Sequence, residues 1–140
     1  MNKLEQFTAT PFESIKHYDE QGNEFWYARE LQKVLEYSQW RNFEKVIEKA
    51  KETCENSGIS TLECFAEVSK TSIMPRGGEK EIRDIALNRY ACYLIAQNGD
   101  FRKEVIAQAQ TYFAVQTRRQ ELQETLLYSK TKVIKVSMVV

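Results

Sequence analysis

The chain has 140 residues, 42% of them hydrophobic and 29% charged, with 20 basic side chains balancing 20 acidic ones. That is enough for one domain with one core. There is no run of about 18 apolar residues, as a membrane span would need, and no apolar stretch near Met1 to open a signal peptide.

The three cysteines, Cys54, Cys64 and Cys92, are odd in number and form no C-x-x-C pair. The pattern argues against a disulfide framework or a thiolate metal site and for reduced thiols of the cytosol. Charge is unevenly spread: residues 1–66 hold 8 basic and 12 acidic residues, net −4, and residues 67–140 hold 12 and 8, net +4. A basic half can present a phosphate-binding surface while the whole chain stays neutral.

Residues 1–11 are polar and expected to be loosely held. Phe12 to Tyr18 reads as a short strand, with room for a helical turn before it. Asp19 to Asn23 is turn chemistry, and the aromatic run Phe25-Trp26-Tyr27 is the returning strand, so a β-hairpin is predicted over 14–27. A short helix over 28–35 follows, with Ala28, Leu31 and Leu35 on one face. Ser38 is the predicted N-cap of a helix over 39–55, where Trp40, Phe43, Ile47, Ala50 and Cys54 recur at spacings of 3 and 4. Gly58 suits the left-handed cap that ends it.

Ser60-Thr61-Leu62-Glu63 matches a capping box for a short helix over 61–65. Residues 67–74 lean to strand, Met74-Pro75-Arg76-Gly77-Gly78 is a strong turn signal, and 79–86 should return as the second strand, although its alternation is poor. Leu87 to Asn98 reads as a helix, nearly all apolar from Ala91 to Ala96 and so a candidate for the central core element. A long helix over 102–127 follows, and the tail from 128 to 140 changes to a β-branched, apolar composition. The fold class is α+β: two β-hairpins packed with about four to five helices, the last of them long.

Catalytic chemistry is not visible. His17 is the single histidine, so no paired-histidine metal site can form. No Walker loop, dinucleotide fingerprint or nucleophile elbow is present, and three scattered aspartates make a two-metal centre a poor reading. No cofactor or metal is expected, and binding rather than catalysis is.

The residues that could hold a partner are basic. Arg76, Lys80 and Arg83 lie on the second hairpin, and a two-stranded ribbon fits a DNA groove. Arg102 and Lys103 open the long helix, where cations oppose the helix dipole and so are not there for helix stability alone. Arg118 and Arg119 lie further along it. Aromatic side chains neighbour basic ones at Trp40-Arg41 and Arg89-Tyr90, although Trp40 falls on the apolar stripe and is expected to pack in the core.

Two runs carry a family resemblance. Gly22-Asn23-Glu24-Phe25-Trp26-Tyr27-Ala28-Arg29-Glu30-Leu31 resembles the opening of the Bro-N domain of baculovirus repeated-ORF proteins and phage antirepressors. Leu87 to Asp100, together with Ala109 to Glu121, closely resembles the family of DNA-damage-inducible protein D. The resemblance covers residues 12 to 121. It implies a bacterial, cytoplasmic, non-catalytic protein of the SOS response, with DNA as its ligand and the RecA recombinase as a protein partner. It implies a Bro-N-like domain over 12–127 and leaves 128–140 as an atypical tail. Family members run well beyond this length, which puts a recombinase-directed activity in doubt. Glu36 stands where the family commonly has glycine; a glutamate there at positive φ costs roughly 1 kcal/mol, so the helix is expected to end differently.

Overall fold

A computed structural model describes residues 11–114. Four strands form one antiparallel sheet in the order β1-β2-β4-β3: β1 (His17–Tyr18), β2 (Glu24–Tyr27), β3 (Phe65–Ile73) and β4 (Glu79–Leu87). The helices are α1 (Ala28–Val34), α2 (Trp40–Asn56), α3 (Thr61–Cys64), α4 (Arg89–Gln97) and α5, helical over the described stretch 104–114. The architecture is α+β, as the sequence predicts.

The side-chain period of two in a strand sorts the sheet into two faces. Trp26, Phe65, Ile85 and Leu87 point to the inner face, where the cross-strand partners Trp26–Leu87 and Phe65–Leu87 sit. They meet the apolar stripe of α2 (Phe43, Ile47, Ala50, Cys54) and the buried residues of α4 and α5, among them Ile95, Ile106 and Phe113. The α2 stripe is the one that the 3-and-4 spacing marks out. Cys54, Cys64 and Cys92 are all buried and unbridged, and burial raises the Cys92 thiol well above its ordinary value.

Several local expectations need correction. Phe12 does not begin a strand: residues 11–13 form a helical turn with Pro11 at its start, where proline's fixed φ and missing N–H are tolerated, and only His17–Tyr18 pair with β2. That turn buries Phe12 completely, stacks it on Tyr112 at 5.2 Å, and lets its carbonyl accept the Trp26 indole N–H at 2.9 Å. Ser38 is not the cap of α2; Gln39 holds that position, and no side chain caps it. Ser60 precedes α3 but makes no capping bond. Asn88 does cap its own helix, α4: its side-chain oxygen accepts the Ala91 N–H at 2.9 Å. The predicted long helix starts at 104 rather than 102, and its stretch beyond 114 lies outside the described residues, as do 1–10 and the tail.

Two helices end alike. After α2, the Ile59 N–H reaches the Cys54 carbonyl and the Gly58 N–H reaches Glu55, with Gly58 at φ +76°. After α1, the Tyr37 N–H reaches Gln32 and the Glu36 N–H reaches Lys33, with Glu36 at φ +64°. Both are the 6→1 and 5→2 closure of a Schellman motif. The helix therefore keeps the glycine-type ending with a glutamate in it, and carries the strain instead of avoiding it.

Candidate nucleic-acid interface

The hairpin of β3 and β4 is nine residues on each side, paired from Phe65–Leu87 to Ile73–Glu79. Only its base joins β2, at Trp26–Leu87 and Tyr27–Ala86, so the rest projects as a two-stranded ribbon. The tip closes by Gly77 N–H to the Met74 carbonyl and Met74 N–H to the Gly78 carbonyl, both 3.0 Å. Pro75 presets the first central residue of this turn and Gly77 takes positive φ, +82°.

Register separates the candidate basic residues. Lys80 pairs with Ser72 and lies on the outer face with Lys70, while Arg83 pairs with Ser69 on the inner face, beside Glu67, Glu79 and Glu81. The ribbon is thus not uniformly basic. Its outer face carries Lys70 and Lys80 on the way to Arg76 at the tip, and its inner face is mostly acidic beyond the core. The sequence positions already contain this, because residues three apart in a strand point to opposite faces.

Asp84 is the one buried charged residue among the described residues, 1% exposed, and it belongs to the outer face opposite Val68. One carboxylate oxygen accepts the Ile85 N–H at 2.8 Å and the Arg29 N–H at 3.1 Å. The other lies 3.1 Å from the Lys70 ammonium, without hydrogen-bond geometry. Arg29 is in the first turn of α1, which has no cap from its own Tyr27. Asp84 therefore caps α1 from another element, with a negative charge where the helix dipole favours one. The Arg29 Nε donates to the Arg83 carbonyl at 2.7 Å, taking over where β2 stops pairing with β4.

Lys70 is also held by Tyr27, its Nζ 3.3 Å from the ring centroid. On the helical side the Arg29 guanidinium lies over Trp40 at 4.2 Å, and Lys103 lies over Tyr37 at 4.9 Å. Both rings pack on Phe43, at 6.1 and 5.0 Å, so Trp40 has one edge in the core and one face under a cation. A chain of contacts thus links Arg83 to Lys103 through Arg29, Trp40, Phe43 and Tyr37. Arg102 is exposed and folds back onto Asp100 in a two-bond pair, at 3.0 and 3.1 Å, which holds the Asp100 carboxyl below its usual range. Arg118 and Arg119 lie outside the described residues.

Lys70 and Arg29 were not among the sequence candidates. The signal for Lys70 was its pairing register in the hairpin; Arg29 has none short of the fold, since its partners are 54 and 55 residues away. Arg89 contributes no free cation. It is 11% exposed and forms a fork with Glu24, both bonds 2.6 Å, over the Trp26 ring.

The outer face also bears a cavity of about 600 Å³. Phe25, Tyr27, Ala66, Val68 and Ala86, all of outer-face parity, form its floor. Asp19, Glu24, Glu63 and Arg89 stand on its walls. Beside it His17 stacks on Phe25 at 5.5 Å and its Nε2 lies 2.6 Å from Glu30 Oε1. Among the described residues no group of three or more His, Cys, Asp or Glu is placed to hold a metal ion, and no helix is long and apolar enough to cross a membrane.

What these features define is a small two-layer α+β domain, helices on the inner face of the sheet and a projecting ribbon with a basic outer side. Its family is equally plain: the BRO family, N-terminal domain, matches residues 14–114, and the chain belongs to that family. It is 51% identical over 112 residues to the DNA damage-inducible protein D of Escherichia coli (strain K12), a stretch that is 80% of this chain and 41% of that relative. The chain thus spans about two fifths of the curated relative's length. No solved structure matches it.

Proposed function

We propose that this domain is a nucleic-acid-binding module acting in the response to DNA damage, and that it binds without catalysing. The observation that carries this reading is the alignment of Lys70 and Lys80 on one face of a projecting ribbon that ends in Arg76. A ribbon of this width enters a major groove, and its glycine-rich tip lets backbone N–H groups approach phosphates. Arg83 and Lys103, linked through Arg29, Trp40, Phe43 and Tyr37, are a second pair of candidate contacts, with Arg102, paired to Asp100, beside Lys103 in sequence; Arg118 and Arg119 remain sequence candidates.

Fluorescence anisotropy with duplex and single-stranded oligonucleotides across a salt series tests the proposal. Affinity should fall steeply with salt, as released counterions dictate. The triple variant K70E/R76E/K80E should bind about 100-fold more weakly at low salt, with a shallower salt slope. E79Q/E81Q, on the opposite face, should bind at least as well as the parent. Absence of binding at low salt sinks the reading.

The finer reading, that the domain modulates RecA filaments in the bacterial cytoplasm as part of the SOS response, is supported by the likeness to a DNA damage-inducible protein of which the chain covers 41%. Light scattering of RecA filaments on single-stranded DNA checks it: the chain at equimolar amounts should change the filament signal, and an unchanged signal sets the RecA reading aside.

A further inference from the structure

The cavity on the outer face is chemically unlike the ribbon. A phosphate needs free cations, and here Arg89 is held in its fork with Glu24, so that pair is neutral. Asp19 and Glu63 remain, and neither forms an ion pair among the described residues. The wall therefore carries unbalanced negative charge over an aromatic and aliphatic floor. Such a surface repels phosphate and attracts a cation with an apolar stem. Tyr27 shows the chemistry in place, because its ring already receives the Lys70 ammonium at 3.3 Å.

The sheet order adds a second observation. β3 is an outermost strand, and Ala66 and Val68, two of the floor residues, belong to it. Its edge away from β4 has no strand beside it among the described residues, over nine residues without a proline. An extended chain can pair with such an edge. The period of two then puts every second side chain of the added strand on the outer face, beside Ala66 and Val68.

We infer that this cavity takes a lysine or arginine side chain from an extended segment of a partner protein that adds as a strand to the edge of β3. The occupant is a basic polypeptide rather than a nucleic acid, because the charge of the wall suits a cation and the open backbone edge suits another backbone. This site adjoins the base of the ribbon through Tyr27, whose ring also holds Lys70, so the peptide is tested on R76E/K80E, whose changes lie at the far end of the ribbon and should leave it untouched.

The probe is a fluorescent peptide of alternating Lys and Thr, about eight residues long to span the edge, titrated into the full chain by anisotropy. Saturable binding is expected, with a Glu–Thr peptide of the same length failing to bind. Glu63→Lys and, independently, Ala66→Arg should each weaken the peptide by about fivefold or more, since each puts a cation where the ligand's cation sits. Both positions are exposed, and circular dichroism verifies that the variants fold. N-methylation of alternate peptide amides should abolish binding. The proposal is overturned if the Lys–Thr peptide binds no tighter than the Glu–Thr peptide, or if Glu52→Lys on the distant exposed face of α2 weakens it as much as Glu63→Lys. It is equally overturned if Phe25→Ser weakens a single-stranded oligonucleotide and leaves the peptide unmoved, which assigns the cavity to nucleic acid. A dimer of the chain that the peptide cannot dissociate assigns the edge to a second copy and also overturns it.

Discussion

The two faces of the sheet follow different rules. On the inner face, Trp26, Phe65, Ile85 and Leu87 are buried against three helices, and their identities are dictated by packing. On the outer face the same strands carry two lysines, a buried aspartate, an aromatic cluster and a cavity. The inner face holds the domain together, whereas the outer face displays groups that folding alone does not require. Asp84 is where the two tasks meet, an outer-face residue whose carboxylate anchors α1.

The sharpest way to break the comparison is to remove an inner-face anchor. Trp26→Ala should destabilise the domain by roughly 4 kcal/mol, from lost burial plus the cavity it leaves, and Trp26→Phe by less, through the unsatisfied Phe12 carbonyl. Urea denaturation reads both. The outer-face pair R76E/K80E should lose less than either, since both residues are exposed, whereas adding K70E also leaves the buried Asp84 carboxylate without its cation. A loss as large as that of Trp26→Ala would mean that the outer face is structural after all.

Asp84 should fall between them. Asp84→Ala leaves two backbone N–H groups without their acceptor and the Lys70 ammonium without its partner, and should cost about 3 kcal/mol. Asp84→Asn keeps the accepting oxygen and should recover about half of that. If Asp84→Ala also weakens oligonucleotide binding beyond its effect on stability, Asp84 positions Lys70 on the binding face as well as capping α1.

The inner face was largely legible in the sequence and the outer face was not. The α2 stripe at Trp40, Phe43, Ile47, Ala50 and Cys54 shows in spacing because a helix repeats locally, and the Pro75 to Gly78 turn shows because few residues make it. The ribbon surface depends on register. Lys80 and Arg83 look like one basic patch along the chain, yet three residues of strand put them on opposite faces. Phe12 carries no local signal of its place, because its burial comes from Tyr112 and Phe113, about a hundred positions away. The cap from Asp84 is likewise invisible without the fold, as its helix begins 56 residues earlier.

Glu36 offers a gain rather than a loss. It sits at φ +64° in a closure that elsewhere uses glycine. Glu36→Gly should stabilise the domain by about 1 kcal/mol, less whatever the freer unfolded chain takes back. A null result would show that the glutamate recovers its strain through contacts of its own.

The smallest expected effect comes from the N-terminal turn that buries Phe12. Glu13 accepts a hydrogen bond from the Tyr112 hydroxyl and pairs with Lys16 at 2.6 Å. Burial pushes its carboxyl up, but the bonds from Lys16 and Tyr112 outweigh that and hold it below the ordinary value of 4.5. A carboxyl depressed in the folded state stabilises the fold above its unfolded pKa, and that contribution disappears as pH falls through the lower folded value. Glu13 is 38% exposed, so solvent screening limits the effect to about 0.5–1 kcal/mol. Glu13→Gln should therefore melt lower than the parent at pH 7, and the gap should close in acid, below about pH 4. A gap that persists unchanged at pH 3 would show that the turn is held by the shape of the side chain and the Phe12 packing beside it, and not by the charge.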